Sequence, residues 1–458
     1  MNKITMNKII FFLASVVAAV TFASEASALP VFARQTGMEC AACHFQHFPL
    51  LNSFGRAFKT GAFTMIGAQA QVEGTGLSIP ATVNAAVLTS MGYEKTNATK
   101  AALPANLNMS AGGASRGGFF VGSESGEASL FVGGRGSDFM GYLGEVTLGN
   151  GGAAMDSLKT PILFDVNGTR VGPVFFSTNG QGASYGFETL NTGANAIHSI
   201  TNTVGFQGQY INAVSAQQWL GTGAAATGAS IVAANDMGFI NVTKFAQVGA
   251  GDSGAVQNAL NAAGIPATGT FVTLGSTYLR LAGTFDLAGW DSAVGVQDWT
   301  GSSAIATPGG PAIAAVEASK AWAIDGQMQG ALGSMPTGFY FSYATAPAST
   351  TTSVNAFNSS TTNKRNSLNI DAEVGVVPDK ATVGAAVRLA NNVDLTGAKQ
   401  KDKALYLTAT YKLAQNLLTR LSYVHESGSY WDQLSGFGGT NAQDLGTNSY
   451  TVNLYALF

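Results

Sequence analysis

The feature that most constrains this chain is a two-residue alternation of apolar and polar side chains, which recurs from about residue 72 onward. In one stretch the apolar positions are Leu368, Ile370, Ala372, Val374 and Val376, and the polar or small ones are Asn369, Asp371, Glu373 and Gly375. The turn residues Pro378-Asp379-Lys380 follow, and the alternation then resumes. Successive side chains of a β-strand point to opposite faces, so the pattern predicts strands with one apolar face.

The class of β structure depends on the surroundings of these strands. Segments of about ten residues separated by turns are typical of outer-membrane barrels, but a soluble β-sandwich with one solvated face shows the same alternation. The last strand favours the barrel, because it alternates up to a terminal aromatic residue, which resembles the targeting signal of bacterial outer-membrane barrels: Tyr450, Val452, Leu454, Ala456 and Phe458. After the N-terminal region no apolar run approaches the roughly 20 residues of a membrane helix, so a membrane form must be a closed barrel.

These observations predict a mainly β protein, an antiparallel outer-membrane β-barrel over residues 71–458. The length predicts about 16 strands, with both chain ends on the periplasmic side. Within this region, residues 212–270 are rich in alanine and glycine and weakly patterned, which predicts long loops with a short helix over Gly254–Ala263.

The N-terminus has the pattern of a secretory signal peptide. Lys3 and Lys8 precede an apolar stretch from Ile9 to Ala23, and Ala26-Ser27-Ala28 is a small-x-small cleavage site. The alternative is a membrane anchor, but an apolar stretch of about 15 residues is short of a bilayer span. We therefore expect export, with residues 1–28 removed.

Charge and cysteine content narrow the function classes. Charged residues make up 11% of the chain and the net charge is −3, which does not provide the basic surface that nucleic-acid binding needs. The 2 cysteines are Cys40 and Cys43, so no other pair is available for a disulfide framework.

Cys40-Ala41-Ala42-Cys43-His44 matches C-x-x-C-H, the attachment pattern of c-type haem. Two thiols about one helical turn apart can each add to a porphyrin vinyl group, and the next residue can then point its imidazole at the iron. A C-x-x-C redox disulfide is the alternative, but it expects a thioredoxin-like βαβ context, which the sequence lacks. We therefore predict one covalent haem c, bound by Cys40 and Cys43 with His44 as the proximal ligand, on a short helical domain over residues 29–70. We expect this domain to plug the lumen of the barrel, which at about 16 strands is wide enough for it.

The residues leave the distal ligand of the iron open. His47 shares a helical face with His44, which disfavours it, and Met38 is too near Cys40. Met65 is far enough along the chain to fold back, so it ranks first within the segment; other options are His198, His425 and an open site. Three basic residues of the segment are candidates to pair with haem propionates: Arg34, Arg56 and Lys59.

The flanks of the haem motif resemble one known family. Residues 30–38, Pro-Val-Phe-Ala-Arg-Gln-Thr-Gly-Met, and residues 48–56, Phe-Pro-Leu-Leu-Asn-Ser-Phe-Gly-Arg, followed by Phe58-Lys59, are similar to the fused monohaem cytochrome–porin iron oxidases of iron-oxidising bacteria. The resemblance covers about 35 residues. It implies an outer-membrane iron oxidase of the Fe(II):cytochrome c oxidoreductase type, which oxidises extracellular Fe(II) and passes electrons to a periplasmic c-type cytochrome.

Two other functions remain open from the residues. A diffusion porin with a haem-bearing plug and an outward-directed reductase both accommodate the same motif and barrel. The pore-lining residues predicted from the alternation suit a porin as well as an electron conduit: Asp371, Glu373, Arg388 and Arg420.

Overall fold

The structure is a computed structural model. It describes residues 30–67, 69–97, 117–121, 128–149, 152–193, 215–248, 271–306, 313–350, 353–358, 360–393, 398–431 and 447–458. The predicted signal peptide, residues 1–28, and the predicted helix Gly254–Ala263 lie outside these ranges.

The described helices are short and lie in two parts of the chain. They are α1 Pro30–Thr36, α2 Cys40–Cys43, α3 Ser53–Thr60 and α4 Ala216–Leu220, with a 3-10 turn at Ala183–Tyr185. No helix within the described ranges is long and apolar enough to cross a membrane.

Strands make up most of the described chain. They are β1 Gln71–Gly74, β2 Leu77–Pro80, β3 Ala85–Thr96, β4 Gly117–Val121, β5 Ala128–Arg135, β6 Gly141–Gly149, β7 Gly152–Pro161, β8 Phe164–Val166, β9 Thr169–Thr178, β10 Ala226–Asn235, β11 Gly238–Ala246, β12 Phe271–Val272, β13 Ser276–Leu287, β14 Trp290–Ala306, β15 Ile313–Ala318, β16 Ala321–Leu332, β17 Met335–Ala346, β18 Val354–Asn355, β19 Arg365–Val377, β20 Ala381–Val393, β21 Lys399–Ala414, β22 Leu417–Ser427 and β23 Asn448–Leu457.

The sheet closes into a barrel, as the sequence predicted. Its wall has 16 antiparallel strands, which are β3, β5, β6, β7, β9, β10, β11, β13, β14, β16, β17, β19, β20, β21, β22 and β23; β4, β8, β12, β15 and β18 extend it locally. The last strand pairs with the first along the seam from Ser449↔Thr96 to Leu457↔Leu88. Closure satisfies the backbone groups of both edge strands, which a barrel in lipid requires.

The two faces of the wall have opposite chemistry, and the predicted alternation is confirmed. In β19, Ile370 is 49% exposed on the outer face and Asp371 is 1% exposed on the inner face. Other exposed apolar residues of the outer face include Leu281, Val296, Ile324, Phe341, Val383, Leu405, Leu421 and Val452. An apolar outer band around a closed barrel is the surface of a membrane-spanning barrel.

Short turns gather at one end of the barrel, which we call the turn end. They include Asn167-Gly168, Ala288-Gly289 and Gln415-Asn416, and the terminal Phe458 lies at the same end. Residues 30–67 pack inside this end, since Arg56 pairs with Asp291 at the start of β14 and Gln46 donates to the carbonyl of Pro336 at the start of β17.

A second segment enters the lumen between β9 and β10, over the described residues 179–193 and 215–225. The barrel carries two buried clusters to which this segment contributes Tyr185, Leu190 and Trp219. The lumen of the described barrel is therefore occupied from two directions by the chain's own segments.

Two sequence-based boundaries differ from the structure. Residues 71–80 form a separate hairpin, β1–β2, and the barrel wall begins at Ala85 instead of at residue 71. The prediction of loops throughout residues 212–270 was wrong, because β10 and β11 lie there and pair with β9 and β13. The inner face of β10 carries small residues, including Gly228 and Ala234, so its alternation is weak although its backbone pairing is complete.

Candidate functional site

The C-x-x-C-H residues lie together on one wall of a cavity of about 340 Å³ inside the turn end. Cys40 and Cys43 begin and end the single turn of α2, and His44 follows directly. Both cysteines are free. The size is within the range of small-molecule and cofactor pockets.

Asn52 and Gly55 fix the position of this motif. The Asn52 side chain accepts a hydrogen bond from the Gly55 amide at 2.9 Å, which caps α3, and donates to the carbonyls of Ala41 and Ala42 at 3.3 and 3.0 Å. A Cβ atom at position 55 would lie 2.1 Å from the Cys43 carbonyl oxygen. The close approach of α3 to α2 therefore requires glycine at 55.

Aromatic packing and one capping glycine hold the rest of the segment. The Phe32 ring of α1 lies 5.1 Å from the Phe58 ring and 4.9 Å from the Phe63 ring, measured between centroids. Gly37, at φ 73°, ends α1 in a left-handed conformation, and its amide bonds to the Ala33 carbonyl. This packing places α1 against α3, so that both helices line the cavity.

The imidazole of His44 is oriented by the backbone. Its Nδ1 lies 3.1 Å from the Leu50 carbonyl oxygen, and since a carbonyl only accepts, Nδ1 carries the hydrogen. Burial lowers the pKa of His44 to about 4, so the ring is neutral. The lone pair of Nε2 is then available to a metal, with the second-shell carbonyl that metal-bound histidines typically have.

The opposite wall of the cavity belongs to the barrel and to the inserted segment. Its apolar residues are Leu88, Phe131, Leu143, Leu418 and Leu457, and its polar residues are Glu145, Lys159, Gln181, Tyr185, Arg420 and Tyr455. The N-terminal segment and the barrel wall thus each supply one side of the cavity.

This donor set fits a covalent haem c. Burial raises the pKa of both thiols, which keeps them protonated, and a thiol is the group that adds to a vinyl carbon. The cavity provides apolar surfaces for a porphyrin plane, two thiols one turn apart and one neutral imidazole. The arrangement is compatible with the anchoring and proximal roles that the sequence predicts for Cys40, Cys43 and His44, and those roles stay predictions.

The candidates for the distal ligand are dispersed. Met65 is 38% exposed and does not line the cavity, whereas Met38 does. His47 is buried with Nε2 2.5 Å from the Glu373 carboxylate and Nδ1 2.7 Å from the Phe48 carbonyl. His425 lies away from the cavity with Nδ1 2.9 Å from Asn448; His198 is outside the described residues. The cavity gives Met65 no support, and its ligation stays a prediction.

The three basic residues proposed for the haem propionates, Arg34, Arg56 and Lys59, also lie in different places. Arg34 donates to the Ala85 carbonyl at the barrel rim, and Arg56 makes two 2.7 Å contacts with Asp291. Only Lys59 of the three lines the cavity. The sequence-based prediction did not include Lys159 and Glu145 of the cavity wall. Both could have been identified from their inward positions in β7 and β6, but these positions are known only once the register of the two strands is known.

Above the cavity, toward the barrel end opposite the turns, the inserted segment is held by buried ionic networks. Arg280 binds Glu188 of the segment and Asp325 of the wall, at 2.9 and 2.5 Å. Arg388, predicted to face the lumen, does so and binds Asp402 and Glu426, at 2.8 Å each. Asp371, Glu373 and Arg420 also face inward, as predicted.

The Trp219 side chain of α4 packs over the second network. It is fully buried, its indole N–H donates to the Asn391 carbonyl at 3.1 Å, and the Arg388 guanidinium lies 4.5 Å from its ring. Ser215 starts α4 with a capping box, in which the side chains of Ser215 and Gln218 each bond the other residue's backbone amide. The cap holds Trp219 in the lumen.

No family model and no curated protein matches this chain. Solved structures that are similar to it in part include OmpT of Vibrio cholerae, with 12% identity, a TM-score of 0.43 and coverage of 85% of this chain and 100% of that one. An anion-selective porin from Comamonas acidovorans has 12% identity and a TM-score of 0.45, covering 82% of this chain and 99% of that one. The channel DcaP of Acinetobacter baumannii has 10% identity and a TM-score of 0.44, covering 82% and 97%. The assignment of a 16-stranded barrel rests on this chain's own strand pairing.

Proposed function

We propose that this chain is an outer-membrane electron conduit with one covalent haem c in the turn end of its barrel. The observation that carries the proposal is the C-x-x-C-H motif lining an apolar cavity between residues 30–67 and the barrel wall. When bound, haem supplies one-electron redox chemistry. The turn end faces the periplasm, since short turns lie on that side in bacterial barrels.

The roles of the protein groups follow from their contacts. Cys40 and Cys43 would anchor the porphyrin, and His44, oriented by the Leu50 carbonyl, would ligate its iron. The apolar residues of both cavity walls exclude water from the ring. The segment carrying Trp219 lies on the far side of the cavity from the periplasm and separates the haem from the outer mouth.

We further propose ferrous iron as the external electron donor and a periplasmic c-type cytochrome as the acceptor. The support for this step is the resemblance of residues 30–38 and 48–59 to the cytochrome–porin iron oxidases. The described residues contain no group of three or more His, Cys, Asp or Glu side chains arranged to hold a metal ion, so the proposal assigns no residue to Fe(II).

A porin is the second candidate, and the barrel itself favours it. Barrels of 16 to 18 strands enclose an aqueous channel when nothing fills them. Against open diffusion, the described lumen holds residues 30–67 at one end and the Trp219 segment beyond them. The third candidate, an outward-directed reductase, shares every feature of the conduit and differs in the direction of electron flow.

Mixing purified protein with Fe(II) tests the proposed function. The haem-loaded protein should develop the sharp absorption bands of ferrous haem c without any added protein. A protein that stays oxidised in excess Fe(II) at the working pH of the organism would rule out iron as the donor, and the conduit would then need another donor.

The cysteines provide the matched test of haem attachment. Cys40→Ala and Cys43→Ala should each weaken covalent haem staining, and the double variant should lose it, because each thiol forms one of the two bonds. Barrel assembly, followed by heat-modifiable migration on gels, should persist. Covalent staining that survives in the double variant would disprove the haem assignment.

A further inference from the structure

The outer face of β21 changes from cationic to apolar along its length. Lys399, Lys401 and Lys403 are exposed and alternate with the buried, inward-facing Gln400 and Asp402. Toward the turn end, the same outer face continues with exposed apolar or aromatic side chains, which are Leu405, Leu407 and Tyr411. One strand thus carries three outward cations in a row, directly beyond the apolar band of the barrel.

The spacing along β21 sets the depth of these lysines in a bilayer. Tyr411 lies near the turn end, and Lys401 lies ten residues further along the strand, which is about 33 Å at 3.3 Å per residue. A strand tilt of about 40° converts this length into about 25 Å of depth, the height of the apolar band in outer-membrane barrels. Because the turn end faces the periplasm, Lys401 lies at the level of the lipid headgroups of the outer leaflet.

The carboxylates of the surrounding strands face the lumen. Strands β19 to β22 contain Asp371, Glu373, Asp402 and Glu426, and each of these residues is at most 1% exposed. Asp402 and Glu426 both bind Arg388 inside the barrel, at 2.8 Å each. The outer face of these four strands therefore presents lysines to the lipid and keeps its carboxylates on the other side of the wall.

Lys364 extends the cationic surface across β20. It is exposed and directly precedes β19, and its backbone carbonyl accepts a hydrogen bond from the Asn391 side chain at 2.8 Å. Asn391 is in turn the partner of Lys401 in the pairing of β20 with β21. Neighbouring strands are about 4.8 Å apart, so Lys364 lies roughly 10 Å from the row on β21. We call Lys364, Lys399, Lys401 and Lys403 the lysine patch.

We propose that the lysine patch binds the phosphate groups of lipid A, the phosphorylated glycolipid of the bacterial outer leaflet. The lysine ammonium group binds phosphate as a point charge. Charge complementarity favours this occupant, because a cluster of cations at headgroup level matches a headgroup with two phosphates. The apolar surface at Leu405 and Leu407 lies below the patch and accommodates the acyl chains. The inference goes beyond the proposed function, since it requires the barrel in the outer membrane but not the haem.

The test measures lipid binding to the purified protein in detergent by native mass spectrometry, with divalent cations removed. The probes are lipid A with two phosphates and the same lipid after enzymatic removal of both. The unsubstituted protein should bind the phosphorylated form more tightly. Lys401→Gln should weaken this binding about fivefold, the contribution of one lysine at an anionic lipid surface. The triple variant Lys399→Gln/Lys401→Gln/Lys403→Gln should lose more than about 50-fold on the same basis.

Matched variants make the result specific. Lys401→Arg keeps the charge and should retain the affinity. Lys244→Gln removes another exposed lysine of the outer face, on β11, which lies seven wall strands from β21. Its ammonium group already bonds the Thr277 hydroxyl at 2.8 Å, so this variant should bind lipid A as the unsubstituted protein does. Heat-modifiable migration establishes that each variant is folded.

Three results would overturn the inference. Equal affinity of the triple variant and the unsubstituted protein for lipid A would show that the lysines are only solvated charges. Equally tight, lysine-dependent binding of phosphatidylglycerol would assign the patch to glycerophospholipids. Loss of oligomers in the triple variant, without a change in lipid affinity, would make the patch a contact between copies of the chain. All three leave the proposed function standing, since its own failure is different: absence of covalent haem in the unsubstituted protein.

Discussion

His47 and Glu373 form a buried link between residues 30–67 and the barrel wall. Their side chains are 1% and 2% exposed, and the imidazole nitrogen lies 2.5 Å from the carboxylate. The second ring nitrogen is engaged by the Phe48 carbonyl. With both nitrogens occupied, His47 is placed to anchor the segment instead of binding iron.

Breaking this pair should destabilise the protein without changing the haem. Glu373→Gln should lower the free energy of unfolding by about 1–3 kcal/mol, the usual cost of leaving a buried hydrogen-bonding group without its partner, measured by thermal unfolding in detergent. Asp165→Asn disrupts the exposed Asp165–Arg170 contact at 3.6 Å and should change stability by about 1 kcal/mol or less.

A separate test concerns the haem spectrum of variants at His47 and Met65. Loss of a low-spin spectrum in His47→Ala but not in Met65→Ala would contradict the anchoring role of His47.

At the level of single residues, the sequence predicted those site residues that lie close together along the chain. Cys40, Cys43 and His44 follow from spacing, because the attachment chemistry lies within five consecutive residues. Lys159 and Arg420 could not be found in the same way, because their approach to the motif depends on closure of a barrel more than 100 residues away along the chain. The separation of Arg56 from the cavity likewise depends on Asp291, a partner that no local pattern indicates.

Among the elements, α4 is a short helix that fills part of the lumen. Its five residues carry Trp219, which fills the space above Arg388 and bonds to the wall at Asn391. Truncating a buried tryptophan costs about 3–5 kcal/mol, which is enough to undock a short element. The helix therefore controls how completely the inserted segment closes the barrel.

Trp219→Ala should raise the ion conductance of the barrel in planar bilayers above that of the unsubstituted protein. The matched control is Trp322→Ala on the outer face, where the side chain is 48% exposed, and its conductance should remain low. Equal conductance in Trp219→Ala and Trp322→Ala would show that α4 does not limit passage. High conductance in the unsubstituted, haem-loaded protein would favour the porin.

Phe458, directly after β23, extends the seam that closes the barrel by one residue. The backbone N–H of Phe458 donates to the Val87 carbonyl at 2.8 Å, and the Val87 N–H donates to the Phe458 carbonyl at 2.9 Å. Deleting Phe458 removes both hydrogen bonds and the aromatic end group. We expect a lower yield of heat-modifiable barrel in the outer membrane, with covalent haem still attached to the exported chain. Normal barrel levels after the deletion would contradict this role of the residue.

Strands with strong alternation were predictable and those with small inward residues were not. β19 and β20, with the turn at 378–380, lie where the pattern placed them. β10 has glycine and alanine on the inner face because the inserted segment packs there; a Cβ at Gly186 of that segment would lie 2.5 Å from the Ser230 hydroxyl. Because the inserted segment leaves room only for small side chains at these positions, β10 lacks the large inward residues by which the alternation of a strand is recognised.

At the scale of the whole molecule, one sheet performs two tasks. Its outer face supplies the apolar band that a bilayer requires, and its inner face completes a cavity begun by residues 30–67. The class of fold and about 16 strands followed from sequence because the alternation and length constrain them. The filling of the lumen by the segment between β9 and β10 did not, because it depends on ion pairs such as Arg280 with Glu188, whose partners are distant in sequence.

In the proposed function, a haem held in the barrel carries electrons from one side of a membrane to the other. Vesicles containing the haem-loaded protein, with a small ferric c-type cytochrome and a ferrous-iron chelator dye inside, test it when Fe(II) is added outside. We expect that the enclosed cytochrome becomes reduced while the dye stays colourless, and that vesicles with the Cys40→Ala/Cys43→Ala barrel show neither change. No reduction above that of the double variant, or reduction accompanied by colour from entering Fe(II), would contradict it.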